Sequence, residues 1–376
     1  MVTLSTLPAA VRRALPPPGS RVVVAMSGGV DSSVVAAVAA AHGCETIGVT
    51  LRLSDADDAP KRDGACCAGT DIADARAVAD RLGIAHYVLD YASAFRAEVM
   101  ADFAAQYMAG RTPVPCITCN QTVKFRDLLG VAEALGAEAL LTGHYVQRLG
   151  DELHRGVDPA KDQSYFLFAT TRAQLARLRF PLGGLDKAAT RTLAADFGLR
   201  VAGKPDSQDI CFVPNGDYRS VVRKLRPDAD APGEIVDADG RVLGRHDGLI
   251  GFTVGQRRGV NVGGQAAPLY VLRLEPATNR VVVGPRAALA VAAVRLDALN
   301  WLGDDAPAGR RVTVKLRSMA PLVEARMEDE RSLRFDVPQY GVAPGQAAVI
   351  YDGSRVLGGG FMVATEGALL GEGLAA

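Results

Sequence analysis

The chain has 376 residues, and its 42 Lys plus Arg are balanced by 42 Asp plus Glu, a formal charge of zero. That balance excludes a uniformly basic surface but not a local anion-binding track. Apolar residues at 48% and charged residues at 22% are ordinary globular values, which exclude a disordered polyelectrolyte. The length suits two or three domains. No run approaches the ~18 consecutive apolar residues of a membrane span. Six cysteines in a chain of this length do not form a secreted disulfide framework. A cytoplasmic protein with no membrane partner is therefore expected.

Residues 1–20 lack acidic side chains and run into Pro16-Pro17-Pro18, which reads as an N-terminal extension. Arg21 to Ala25 is a first strand. Asp31 to His42 favours helix, with Gly43 placed to stop it. Thr46 to Leu53 reads as a second strand. The periodic stretch from Thr70 to Leu82 predicts a helix with Asp71, Asp74 and Arg81 on a polar face and Gly83 at its end. Ala85 to Leu89 and Ala139 to Thr142 are a third and a fourth strand. Strands separated by helices predict an α/β fold, a parallel sheet covered on both faces, with ligands at the C-terminal strand ends. After about residue 215 helical periodicity fades. Glu234 to Leu243 reads as a hairpin turning at Asp239-Gly240. Tyr270 to Leu274, Arg280 to Val283, Val312 to Leu316, Ala347 to Tyr351 and Arg355 to Leu357 read as further strands. The expected division is an extension at 1–20, an α/β domain at 21–215, a small β-rich domain at 216–286 and a β-barrel at 287–376. Charge is uneven along it: residues 251–317 hold 10 basic and 4 acidic side chains.

Ser27-Gly28-Gly29-Val30-Asp31-Ser32-Ser33 joins the first strand to a helix. Two glycines let the backbone approach an anion, and the amides at the helix start, with the Ser32 and Ser33 hydroxyls, make a phosphate cradle. Asp31 is suited to hold a magnesium ion beside the phosphates. Neither the Walker Gly-Lys-Ser/Thr nor a G-x-G-x-x-G pattern is present. The loop resembles the S-G-G-x-D-S pyrophosphatase loop (PP-loop) of ATP enzymes that cleave between the α and β phosphates. Those enzymes adenylate an oxygen of their substrate and release pyrophosphate.

Two cysteine sites stand out. In Val114-Pro115-Cys116-Ile117-Thr118-Cys119-Asn120, Pro113 and Pro115 predict an extended segment. Cys119 is expected just before a helix starting at Asn120, where the helix dipole and Lys124 lower a thiol pKa. The second is Asp206-Ser-Gln-Asp-Ile-Cys211-Phe212. Cys116, Cys119 and Cys211 together offer three thiolates, enough for a [4Fe-4S] cluster with one open iron. A zinc set of Cys66-Cys67 with Cys116 and Cys119 has poor ligand spacing. Cys44 reads as a packing residue. Arg257-Arg258 suits contact with a nucleic-acid backbone.

Several further motifs occur in one order: Thr142-Gly143-His144-Tyr145, Lys161-Asp162-Gln163-Ser164-Tyr165-Phe166, Gly251-Phe252-Thr253-Val254-Gly255-Gln256-Arg257, Pro344-Gly345-Gln346-Ala347 and the glycines ending at Gly360. With these, nearly the whole chain resembles the tRNA-specific 2-thiouridylases, PP-loop enzymes that place sulfur on the wobble uridine of certain tRNAs. The resemblance implies that Ala25, Met26, Ser27, Gly28, Gly29, Val30, Asp31 and Ser32 bind ATP with Mg2+, and that Leu51 and Gly143 contact its adenosine. Cys119 aligns with the family nucleophile and Cys211 with the persulfide-carrying cysteine, and the two form a transient disulfide. Val114, Pro115 and Cys116 align with the segment that meets the target base. Lys161, Asp162, Gln163, Arg317 and Ser318 align with tRNA-contacting positions. The implied partners are a tRNA anticodon loop and an upstream sulfur carrier or cysteine desulfurase. Three rivals remain open: the same reaction with the [4Fe-4S] cluster delivering hydrosulfide, a different PP-loop synthetase acting on a small molecule, and a non-enzymatic RNA-binding protein. The chain departs from the commoner pattern at Cys116, where some members carry Asp, and at Ser318, where an Arg-Tyr pair becomes Arg317-Ser318.

Overall fold

The computed structural model describes residues 7–54, 69–206, 209–213, 216–260, 262–263 and 267–368; Cys66 and Cys67 lie outside these. Two compact units emerge. The first comprises Met1–Val99, Cys116–Gly216 and Ser354–Val356, and the second comprises Met100–Pro115, Asp217–Gly353 and Leu357–Ala376.

The first unit is built on a five-stranded sheet in the order β3-β2-β1-β4-β7, parallel throughout. Its strands are β1 (Arg21–Ala25), β2 (Glu45–Arg52), β3 (Ala85–Asp90), β4 (Ala139–Leu141) and β7 (Leu178–Arg179). Val22, Val23 and Val24 of β1 are fully buried, as a central strand covered on both faces requires. The helix Val30–His42 packs its Val and Ala side chains into the same core and ends at Gly43 in the left-handed conformation, φ 89°. Because β1 pairs with β2 on one side and β4 on the other, the chain leaves β1 at a point where strand order reverses. The loops after β1 and β4 therefore flank the crevice where open α/β sheets bind ligands. A hairpin of β5 (Val146–Leu149) and β6 (Glu152–Arg155), not expected from the sequence, follows β4.

In the second unit, β8 (Gly233–Val236), β9 (Val242–His246), β10 (Tyr270–Glu275) and β11 (Arg280–Gly284) form a sheet in the order β10-β11-β8-β9. Gly240 turns the β8–β9 hairpin with φ 84°. The strands β12 (Val291–Trp301), β13 (Arg311–Lys315), β14 (Val323–Met327), β15 (Ser332–Gln339), β16 (Ala347–Asp352) and β17 (Arg355–Gly367) follow. They run in the order β12-β15-β14-β13-β16-β17, and β12 also pairs with β17, closing a barrel without edges. Val294, Leu296, Val314, Met327, Leu333, Ile350 and Met362 fill it. The strand expected to stop at Leu357 runs on to Gly367. Its glycines allow this: a Cβ at Gly358 would stand 2.1 Å from the Asn300 carbonyl oxygen of β12.

The helix Ala101–Met108 lies inside the 21–215 stretch in sequence yet packs in the second unit. Tyr107 stacks on Tyr218 with ring centroids 4.6 Å apart, and the Thr112 amide donates to the Pro344 carbonyl at 2.8 Å. No helix among the described residues is long and apolar enough to cross a membrane.

Candidate active site

The glycine turn is shaped by one close approach. Gly28 has φ 73°, and a Cβ there would lie 2.0 Å from the Asp71 carbonyl oxygen. Only glycine satisfies both conditions. The helix that follows has Gly29 at its N-cap, and no side chain caps it. Its first amides are thus presented to whatever occupies the crevice, with the dipole favouring an anion. The serines tighten the turn: the Ser27 amide donates to Ser32 Oγ at 3.1 Å, and Ser33 Oγ donates to the Gly29 carbonyl at 2.8 Å. From the β4 side, a Cβ at Gly143 would meet the Ser32 amide nitrogen at 3.0 Å. The loops of Gly28 and Gly143, singled out separately in the sequence, thus pack together. Leu51 is buried near the end of β2.

Around this turn lies a charged network that sequence reasoning missed. Lys187 donates to both Asp31 carboxylate oxygens, at 2.7 and 3.0 Å, and pairs with Asp206 at 2.8 Å. The Tyr145 hydroxyl donates to Asp31 Oδ1 at 2.9 Å, and its oxygen lies 3.0 Å from Thr190 Oγ1. Lys204 donates to Asp71 and Asp74, each at 2.6 Å, and to the Gly28 carbonyl at 3.1 Å. Asp71, on the polar face expected from its spacing, is therefore a buried ion-pair partner. Burial opposes the charge on Lys204, but its hydrogen bonds to the Asp71 and Asp74 carboxylates outweigh that and hold its pKa above the ordinary value. Asp206 also accepts from Lys161 at 2.6 Å and Arg191 at 2.9 Å. Burial alone would raise its pKa; Lys161 and Lys187 overcome that and bring it to about 2.

This gives Asp206 a signed pH dependence. Its pKa falls from an ordinary 3.8 to about 2, so its contribution is fully present above pH 4 and is lost as pH drops toward 2. With a fifth of the side chain exposed, that contribution is about 1–2 kcal/mol after screening. Asp206→Asn is expected to lower Tm by a constant amount from pH 5 to 8. Thermal melts should show the gap to wild type closing between pH 4 and 2; an unchanged gap at pH 2 would contradict the assignment.

The cysteines occupy different settings. The helix begins at Pro115 and continues through Cys119 into a π-helical stretch, Asn120–Asp127. The expected helix start at Asn120 is thus corrected. Pro115 acts as the first helical residue, where its missing N–H is harmless, instead of prolonging an extended segment. Cys119 is one turn inside, only 6% exposed, at the α-to-π junction. Such junctions often mark functional positions. Next to it, the Asn120 side-chain Nδ2 donates to the Phe166 carbonyl at 3.3 Å. Cys211 is half-buried in a turn closed by the Val213 amide on the Ile210 carbonyl, and Phe212 packs edge-on against Phe95. Burial, reinforced by Lys124, pushes the His144 imidazole down to about 3, so it is neutral at physiological pH. Burial raises the Cys44 thiol to about 11, as suits a packing residue.

Three family models cover the chain in sequence: a tRNA methyl transferase HUP domain over 20–215, a tRNA methyl transferase PRC-barrel domain over 220–285 and an aminomethyltransferase β-barrel domain over 291–362. A tRNA-specific 2-thiouridylase (MnmA) of Rhizorhabdus wittichii is 65% identical over 354 residues, 92% of each chain. The Sphingopyxis alaskensis protein of the same name is 63% identical over 92% of this chain and 91% of its own. That of Zymomonas mobilis is 59% identical over 95% and 97%. The chain belongs to the tRNA-specific 2-thiouridylase family. Its parallel PP-loop-type sheet, second sheet and barrel are the architecture expected from that resemblance.

Within this thiouridylase, the residues aligned with tRNA-contacting positions have distinct surroundings. The Asp162 carboxylate is fully buried and accepts from Arg155 Nε, the Gly156 and Ser164 amides and Ser164 Oγ. Gln163 Oε1 accepts from the Tyr145 amide at 2.9 Å. Both therefore organise the loop that carries Lys161. In the second unit, Val114 is half-buried, Arg317 is exposed and Ser318 is half-buried. Among the described residues, no three His, Cys, Asp or Glu side chains gather as a metal site. Cys116, Cys119 and Cys211 are thus not gathered as a three-ligand set in this structure. By contrast, Asp31 beside an anion-binding turn is the single carboxylate that a magnesium–nucleotide complex commonly uses.

Proposed function

We propose that the chain forms 2-thiouridine at the wobble position of tRNA. In this reading ATP adenylates the C2 oxygen, pyrophosphate leaves, and sulfur replaces AMP. The observation that carries it is the uncapped helix N-terminus at the glycine turn, set at the strand-order reversal with Lys187 and Lys204 beside it. The amides from Gly29 onward bind phosphate, and Gly143 with Leu51 borders the adenosine. Mg2+ accompanies the phosphates near Asp31. Lys187 and Lys204 hold Asp31, Asp71 and Asp74 until phosphate arrives and then neutralise the departing pyrophosphate.

A uridine carbonyl is a poor electrophile because oxide leaves badly; adenylation converts that oxygen into AMP. The terminal sulfur of a Cys211 persulfide attacks C2, and AMP departs with the C2–O bond pair. Cys119 thiolate then attacks the Cys211 sulfur, releasing the thiolated base and leaving a Cys119–Cys211 disulfide. A thiol reductant restores both cysteines, and a sulfur carrier or cysteine desulfurase reloads Cys211. The base must leave its stack to reach the site, which an anticodon loop makes cheap. Val114, Pro115 and Cys116 border it, Lys161 and Arg317 contact the tRNA, and Asp162 with Gln163 positions Lys161. The 21–215 part carries the chemistry, while 216–286 and 287–376 hold the RNA, in the cytoplasm.

Incubating the protein with ATP, a persulfide donor, reductant and unmodified tRNA is expected to yield AMP and 2-thiouridine, read by nucleoside mass spectrometry. Pyrophosphate release without tRNA, and no thiolated nucleoside with it, would point to a small-molecule synthetase instead.

A further inference from the structure

The second unit carries an exposed aromatic that the reading above leaves unused. Tyr340 follows β15 and keeps 46% of its surface exposed. The Arg286 guanidinium lies over its ring, 5.4 Å from the centroid. The next residue, Gly341, has φ 69°, and a Cβ there would stand 3.1 Å from Arg317 Nη1, so the Arg317 guanidinium rests against this turn. The turn also abuts a second loop. A Cβ at Gly255 would lie 3.8 Å from the Gly341 Cα, and that loop continues into exposed Arg257 and Arg258. Met319, two residues beyond Arg317, is 85% exposed, and Val337 is 66% exposed.

Arg257, Arg258, Arg286 and Arg317 pair with no carboxylate among the described residues. Elsewhere in the unit arginines do so repeatedly, as Arg223 with Asp230 and Arg334 with Glu366 show. Unpaired guanidinium groups around an exposed ring and a soft thioether match a polyanion whose charges are spaced by flat, apolar groups. That is single-stranded nucleic acid, in which phosphates meet arginine and bases stack on aromatic faces. A protein partner would have to bring acids to four unneutralised arginines. The position after Arg317 is Ser318, half-buried and without a ring. Tyr340 precedes the Gly341 turn on which the Arg317 guanidinium rests, so an aromatic face and Arg317 belong to one stretch of surface.

We propose that Tyr340 is a stacking platform for an unpaired base of the tRNA, with Arg286 and Arg317 engaging the flanking phosphates. The inference rests on the tRNA reading above and adds to it a contact outside the reacting centre. Stacking and ion pairing have separable signatures: loss of stacking weakens binding equally at all salt concentrations, whereas loss of a phosphate contact lowers the salt slope.

The test measures equilibrium binding of unmodified tRNA to the full-length protein from 50 to 200 mM salt, with steady-state thiolation alongside. Tyr340→Ala should weaken binding roughly tenfold at every salt concentration. Its KM for tRNA should rise by a similar factor while kcat changes less than twofold. Tyr340→Phe and Tyr340→Trp, which keep a ring, should bind within about twofold of wild type. Arg286→Ala and Arg317→Ala should each reduce the salt slope by about one. Tyr340→Ala binding as wild type does, or Tyr340→Phe as weak as Tyr340→Ala, overturns the inference and leaves the thiouridylase reading intact. A wild-type protein that binds no tRNA overturns both.

Discussion

Cys119→Ser is expected to abolish 2-thiouridine formation, by at least a thousandfold, while the first-turnover burst of tRNA-dependent pyrophosphate release stays within a few-fold of wild type. The proposed adenylation site, namely the Gly28 turn, Asp31 and Lys187, does not include the cysteine. A serine at the α-to-π junction fits the same buried volume but is not ionised near neutrality and cannot form the disulfide that releases product. Cys211→Ser should also eliminate product, at a different step. After exposure to a persulfide donor, intact-protein mass spectrometry should find one added sulfur atom on wild type and Cys119→Ser but not on Cys211→Ser. Substantial thiolation by Cys211→Ser would remove the persulfide from the mechanism. Loss of that first-turnover burst in Cys119→Ser would instead assign Cys119 to adenylation.

Gly28→Ala should be among the most damaging single methyl groups in the first unit. The residue sits at φ 73°, and the added carbon would stand 2.0 Å from the Asp71 carbonyl oxygen, well inside contact distance. That oxygen is backbone, so relief requires moving the start of the helix Gly69–Leu82 and with it the Lys204 ion pairs. The strain and displacement together cost about 2–4 kcal/mol, which for a domain of this size lowers Tm by roughly 5–12 °C. Pyrophosphate release should fall at least a hundredfold, because the amides proposed to bind phosphate move. Gly29→Ala is the control. Its φ is not positive, and the nearest atom to its new carbon is Ser27 Oγ at 3.5 Å, an ordinary contact. It should cost less than about 1 kcal/mol. Equal melting temperatures for the two variants would show that the close approach at Gly28 is not what fixes the turn.

Local signals carried the framework. The apolar run of β1, the glycine turn, the helix up to Gly43 and the Asp239-Gly240 hairpin were legible because each depends on neighbours in sequence. What escaped was non-local. Asp71 and Lys204 are 133 positions apart, and nothing near Asp71 separates a buried ion pair from a solvated helix face. Lys187 and Asp31 are joined across 156 positions. Pro115 was misplaced for a different reason: proline both breaks helices and starts them, and only the chain after it decides which. The length of β17 was hidden because a run of glycines weakens a strand by propensity, yet β12 comes so close that any side chain there would clash.

The helix Ala101–Met108 bears on how the protein can be divided. Tyr218, at the start of the helix Tyr218–Leu225, needs Tyr107 as its stacking partner, and the loop of Thr112 is tied to Pro344. A fragment beginning at Asp217 would lack both partners and leave the Tyr218 ring bare. The second unit is therefore not a detachable cassette. A chimera exchanging it between relatives must carry residues 100–115 along with it, and during synthesis the first-made part of that unit must wait for more than a hundred later residues before its aromatic side chains are covered.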